Sequence, residues 1–251
     1  MLAGAISSTV LFCVDSASAQ CQTEPRLQNY SGSTTAPCHC FLQGEQAGAV
    51  LDAPAGDYPL QIVRVGIGWH SQFGGAPDSL EQAIHIYGAG LPNPGAPVFS
   101  LLGPTLTDGQ INVFDLKSQN VVINGGPFTV TLEFLNTNSG NVFAPSVVDD
   151  GNGCQLGKNV AFVLPGGWSD ACPLGVTGDW VFYVDYRTNL GCVTGDANCD
   201  GDMDGKDIDG FVKALLDSNC LIPSADIDGN GSVEMADVGP FVQCLLDGAC
   251  P

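Results

Sequence analysis

Basic side chains are scarce in this sequence. Seven Lys and Arg face 27 Asp and Glu in 251 residues, for a net charge of −20. Nucleic-acid binding draws its affinity from cations that displace counterions at phosphates, so this balance argues against such a partner. It argues equally against adhesion to an anionic membrane. Long apolar runs are also missing: beyond the first residues nothing approaches the ~20 that span a bilayer, so no membrane span is expected. Histidine is sparse, and His39, His70 and His85 show no zinc spacing. Neither G-x-S-x-G nor H-E-x-x-H occurs, which removes two familiar hydrolase patterns.

Cysteine, by contrast, is abundant. Eleven are present, and Cys13 lies in the apolar stretch from Leu2 to Val14, which precedes Ala17-Ser18-Ala19. Residues 1–19 therefore read as a signal peptide with an A-x-A cleavage site, although no Lys or Arg precedes the apolar run. Cleavage there leaves ten cysteines, an even number that fits five disulfides and a secreted or cell-surface location. Ser18-Ala19-Gln20 is no lipobox, so Cys21 is not expected to carry lipid. Cys38-His39-Cys40 reads as disulfide cysteine rather than as a metal site in that setting.

Residues 20–190 read as an all-β domain. Short apolar or alternating runs cover Leu60 to Trp69, Gln82 to Tyr87, Ile111 to Leu116, Phe128 to Leu135, Asn159 to Leu164 and Asp179 to Tyr186. The run Thr129-Val130-Thr131-Leu132-Glu133-Phe134 alternates as a half-buried antiparallel strand does. Gly, Pro, Asn and Asp clusters separate the runs, and no window has a helical period. This pattern predicts a two-sheet sandwich, jelly-roll-like, long enough to bury a substantial core.

Function is less legible in that region. A glycosidase needs two facing carboxylates, and Asp52, Asp57, Glu81, Glu133, Asp149, Asp150, Asp179 and Asp185 are candidates that sequence cannot pair. His85, between Ile84 and Ile86, is expected on the outward side of a strand. Asp149-Asp150-Gly151-Asn152-Gly153 reads as a turn in preference to a further calcium loop. Trp180 is expected in the core, and Trp168 on a loop where it could stack on a sugar.

The acid is concentrated at the C-terminus, where residues 195–251 hold twelve acids and two bases. It is also patterned. Residues 196–207 match 226–237 at a fixed offset of thirty. Oxygen-bearing side chains stand at positions 1, 3, 5, 7, 9 and 12 of each twelve-residue loop: Asp196, Asn198, Asp200, Asp202, Asp204 and Asp207, then Asp226, Asp228, Asn230, Ser232, Glu234 and Asp237. Calcium takes six to eight oxygens at about 2.3–2.6 Å, and a chain curling round the ion presents alternate side chains inward. Position 6 must turn sharply, and glycine occupies it in both copies, as Gly201 and Gly231. Position 7 contributes its carbonyl. Met203 and Val233, at position 8, are expected to pack the loops together.

An apolar stripe follows each loop. Ile208, Phe211, Val212, Leu215 and Leu216 recur as Val238, Phe241, Val242, Leu245 and Leu246. Each predicts an amphipathic helix that cannot bury its face without the other. Pro240 is expected in the first turn, where a missing N–H costs nothing.

These residues resemble a type I dockerin: two loop–helix half-EF-hands, with no helix entering the first loop. The resemblance covers about 57 residues, 195–251, and implies a small all-α module with two Ca2+ sites on the twelve residues named above. Asp at position 12 departs from the common EF-hand Glu but is usual in dockerins. Dockerins that dock on cohesins carry a Ser/Thr pair at positions 10 and 11, where this chain has Gly205-Lys206 and Met235-Ala236. Calcium binding thus rests on residues that match, and a cohesin-like partner on residues that do not. The family's context is polysaccharide degradation. The expected protein is a secreted, calcium-binding, dockerin-bearing chain with a non-catalytic binding or structural sandwich. The alternatives are a jelly-roll polysaccharide hydrolase or lyase, and a calcium-stapled structural protein without a docking partner.

Overall fold

The computed structural model describes residues 24–33, 37–188, 192–198, 202–217 and 222–250. The proposed signal peptide, Cys13, Cys21, Cys199, Cys220, Asp200 and Gly201 lie outside the described residues. The chain divides into two compact units, one built on Gln22–Gly191 and the other on Cys192–Asp228 with Val233–Pro251.

The first unit is mostly β. Its strands are β1 (Arg26–Gln28), β2 (Gln46–Leu51), β3 (Leu60–His70), β4 (Ser79–Leu80), β5 (Ala83–Tyr87), β6 (Pro97–Leu102) and β7 (Thr105–Leu106), followed by β8 (Gln110–Asp115), β9 (Val121–Ile123), β10 (Phe128–Glu133), β11 (Ser146–Val147), β12 (Asn159–Val163), β13 (Gly167–Asp170) and β14 (Phe182–Arg187). All six runs that the sequence marks as strands are strands.

One sheet is organised around β3, which pairs with β14, β8, β9 and β11; β1 adds outside β14. The second sheet has the order β13-β12-β2-β10-β5-β6, and every pairing is antiparallel. Alternation, with a register shift between Ile62 and Arg64 of β3, sends Ile62, Val65 and Ile67 into the same core as Ala47, Ala49, Ile84, Ile86, Val130 and Leu132 of the second sheet. This arrangement is consistent with a β-sandwich. Strand β2 is buried at all six positions, between β12 and β10. Gly48 is required there: a Cβ would lie 2.0 Å from the Val130 carbonyl oxygen.

The three arginines stand on β1, β3 and β14. Arg26 and Arg64 both bond Asp185, while Arg64, Arg187 and Lys117 converge on Glu24. Burial pushes the Asp185 carboxyl up, but hydrogen bonds from Arg26 and Arg64 outweigh it and leave the group below its usual range. Arg26 also lies over the Tyr183 ring, 3.5 Å from its centroid.

The second unit carries two short helices, α1 (Asp207–Leu216) and α2 (Met235–Asp247). They meet through Phe211 and Phe241, whose rings stack 3.9 Å apart at matching repeat positions. Ala197, Ala214, Ile222 and Ala225 complete the buried cluster, with Met203 and Val233 packed against it as their shared position 8 predicts.

Two expectations need correction. The apolar stripes are only partly buried: Ile208, Val212, Leu216, Val242 and Leu246 are exposed. The helices face each other through Phe211 and Ala214 and through Phe241 and Cys244, so the neighbouring apolar row on each is rotated outward. Pro240 is not in the first turn. Helix α2 begins at Met235, which makes Pro240 its sixth residue and denies the Ala236 carbonyl its helical partner.

Candidate metal centre in the C-terminal repeat

Position 12 organises both loops. Asp207 accepts hydrogen bonds from the Asn198 amide at Oδ1 (3.1 Å) and the Asp204 amide at Oδ2 (2.8 Å). Thirty residues on, Asp237 accepts from Ile227 and Asp228 at Oδ1 (2.8 and 3.1 Å) and from Glu234 at Oδ2 (2.9 Å). Both carboxylates are fully buried. Each one ties the start of its loop to its end, so the loop closes on itself.

In the second loop the side chains converge. Asp226, Asp228 and Asp237 each offer a carboxylate oxygen, all within 4.8 Å of one another. Two oxygens on one calcium lie no more than about 5 Å apart, given bonds of about 2.3–2.6 Å. A carboxylate has about four lone-pair positions, and three donors reach Asp237, so a position remains for an ion. Three hard oxygen donors suit calcium or magnesium better than a soft metal. Asn230 accepts from the Ser232 amide at 3.0 Å, which shapes the turn about Gly231. Glu234 caps α2 in a reciprocal box with Asp237.

The first loop differs. Asp196 and Asn198 are buried and Asp202 is exposed, while Asp200 lies outside the described residues. Burial, with the charge of Asp196 behind it, pushes the Asp207 carboxyl up. At position 9, Asp204 accepts from the Lys206 amide at 2.8 Å and pairs with its ammonium at 3.0 Å. The only group of three or more potential metal ligands among the described residues is the one in the second loop. Lys206 stands at loop position 11, and its hold on Asp204 has no sequence signal beyond adjacency.

Three disulfides join described cysteines. Cys244 bonds Cys250, Cys154 bonds Cys172, and Cys38 bonds Cys40, so the Cys38-His39-Cys40 segment is a disulfide with a histidine between its ends.

In the first unit the candidate carboxylates accept hydrogen bonds from the protein itself. Asp52 accepts from Tyr58, Asp57 from Tyr186, Glu133 bonds His85, and Asp179 bonds Gln155 and Asn159. Asp149 and Asp150 accept the Gly151 and Asn152 amides, a turn pattern. Glu81 accepts one amide, from Leu135, and burial pushes its carboxyl up to about 7.

Trp168 is not loop-borne: it stands on β13, paired with Phe162 of β12. It makes edge contacts with Phe162 and Tyr87, both at 5.2 Å. Tyr87 and Thr131 donate to the Gln46 side chain (2.9 and 2.7 Å), and His85 bridges Ser100 and Glu133, each at 2.7 Å. The second sheet thus carries aromatic rings and polar groups on the face opposite the core, with His85 outward as its alternation predicts. No protein-family model, curated protein or solved structure matches the chain.

Proposed function

We propose that the chain is a secreted calcium-binding protein in which a dockerin-like C-terminal module is joined to a non-catalytic, jelly-roll-like binding domain. The observation that carries the proposal is the Asp226–Asp228–Asp237 constellation, set in a loop whose closure by position 12 is repeated thirty residues earlier. Calcium supplies charge neutralisation and cross-linking here. Asp226, Asp228, Asn230, Glu234 and Asp237 with the Ser232 carbonyl would hold one ion. Asp196, Asn198, Asp200, Asp204 and Asp207 with the Asp202 carbonyl would hold the other.

The exposed apolar rows on α1 and α2 support a docking role, since they sit at matching repeat positions and are not consumed by the module's own core. Strand order supports the jelly-roll reading: β1-β14-β3-β8 in one sheet and β2-β10-β5-β6 in the other, with the β12–β13 hairpin added at an edge. Trp168 and Phe162, half-buried beside His85 and Glu133, support binding of a polysaccharide on that outer face. Disulfides and the proposed signal peptide support secretion.

Calcium titration calorimetry of the chain, with Asp196→Ala and Asp226→Ala beside it, is the test. Two sites, each lost with its own variant, are expected. Absence of calcium binding at millimolar concentration would end this reading.

A further inference from the structure

A cavity of about 310 Å³ opens within the first unit, at the lower end of the 300–1,000 Å³ range of small-molecule sites. One side of its wall is the link from β4 to β5, which carries Glu81, and another is the segment that follows β10. Leu80, Leu135, Ala144 and Pro145 supply apolar surface.

Glu81 singles this cavity out. The residue is buried, with 6% of its surface exposed. Its Oε2 accepts the Leu135 amide at 2.8 Å, and its Oε1 has no partner in the protein. That free oxygen is not sealed from solvent. Among the described residues, the side-chain atoms both sealed and unpartnered are the indole nitrogens of Trp69 and Trp180. Oε1 therefore meets solvent where Glu81 lines the cavity. Buried acceptors are nearly always paired, so this one marks a place where a donor is wanted. Burial pushes the carboxyl up to about 7, against the Leu135 amide, with no cation to hold it down.

The wall also selects the donor. Its described residues include no Lys, Arg or His, and its other titratable side chain is Asp78, which is exposed. On a chain of net charge −20 such a wall disfavours anions and favours cations. A calcium ion is poorly served, because it takes six to eight oxygens and the described cluster of metal ligands stands in the C-terminal repeat instead. An ammonium group brings three donors on an apolar stem. The Thr137 hydroxyl, which receives the Gln43 amide at 3.1 Å, keeps accepting capacity in the same wall.

We propose that this cavity binds the ammonium group of a small organic amine, with the Glu81 carboxylate as its counter-ion and the apolar part of the wall against its alkyl stem. The site draws on no residue of the calcium loops.

The test uses the full chain with n-butylamine, 1-butanol and butyrate, three stems of equal length with positive, neutral and negative heads. In 15N spectra the Leu135 amide, which donates to Glu81, reports on the site. It should move on titration with n-butylamine, which stays protonated throughout as a lysine side chain does. Binding should be about twentyfold weaker at pH 5.5 than at pH 7.5, because the ammonium must displace the Glu81 proton. 1-Butanol should bind at least tenfold more weakly at pH 7.5, and butyrate should not bind. Glu81→Gln keeps an acceptor for the Leu135 amide and should bring n-butylamine down to the 1-butanol level at both pH values. Equal affinity for amine and alcohol, binding of butyrate, amine affinity indifferent to pH, full amine binding by Glu81→Gln, or no response of the Leu135 amide to any probe would each overturn the proposal.

Discussion

In the first unit, large side chains from both sheets, among them Leu60, Ile67, Trp69, Phe128, Phe134 and Phe182, are sealed from water in one continuous core. Among its described residues the C-terminal repeat buries Ala197, Phe211, Ala214, Ile222, Ala225 and Phe241 in its cluster. Three of those six are alanines and only Phe211 and Phe241 are aromatic, so little is there to offset chain entropy. Its loops, meanwhile, bring carboxylates together that repel one another in the absence of a cation. The difference teaches that the two units should answer to different perturbations. The sandwich stands on apolar burial, and the repeat, on the function proposed above, on an ion beside the bridge between Cys244 and Cys250.

The largest effect should come from calcium removal. Two sites held at a thousandfold excess over their dissociation constants contribute about 4 kcal/mol each. Differential scanning calorimetry should therefore show one transition that chelator lowers steeply and one that it leaves in place. A single transition shared by both units would break the comparison.

Next come the two cores. Phe241→Ala should cost about 3–4 kcal/mol, all of it in the calcium-dependent transition. Phe128→Ala should cost a similar amount in the other transition only. Crossed effects in those melts would show that the units do not stand independently.

A third contrast concerns pH. Burial raises the Glu81 carboxyl to about 7 from an unfolded value near 4.5. A raised pKa means that its stabilising effect is fully present below the unfolded pKa and is lost as pH rises through about 7. Glu81→Gln, which stays neutral and keeps an acceptor for the Leu135 amide, should gain about 3 kcal/mol over wild type at pH 8 and nothing at pH 4. Denaturant melts at the two values measure this; a gain independent of pH would contradict it. Asp185 runs the other way. Its depressed carboxyl stabilises above the unfolded pKa, and that contribution is lost as pH falls through the folded one.

The smallest expected effect separates the two loops. Lys206→Ala releases the Asp204 carboxylate from a largely exposed pair and should tighten the first site by less than about fivefold, with the second site unchanged. A change confined to the second site in the calorimetric isotherm would refute this assignment.

Much of this was legible in the residues. Strands β3, β5, β8, β10, β12 and β14 announce themselves by β-branched or aromatic content and by alternation. Strand β2, Gln46-Ala47-Gly48-Ala49-Val50-Leu51, does not, because a strand pressed between two neighbours and the core needs small residues, and these have no strand preference. Strand β6 is hidden by Pro97, which an edge position tolerates. Gly166-Gly167 made Trp168 read as loop, when the glycines only turn a hairpin into β13. At the candidate centre, spacing alone marked every oxygen-bearing position. It could not show that Asp204 is held by Lys206 or that Glu234 caps a helix, because both depend on side-chain orientation. The Cys244–Cys250 bond was equally hidden, since cysteine spacing alone fixes no pairing.

Amide hydrogen exchange on the full chain, with calcium and with chelator, tests the central claim most directly. The amides of Asn198, Asp204, Asp228 and Glu234 donate to the two position-12 carboxylates. With calcium they should be protected. With chelator that protection should collapse across the repeat, while β3, β10 and β14 exchange as slowly as before. Protection in the loops that is indifferent to calcium would contradict an ion-held repeat.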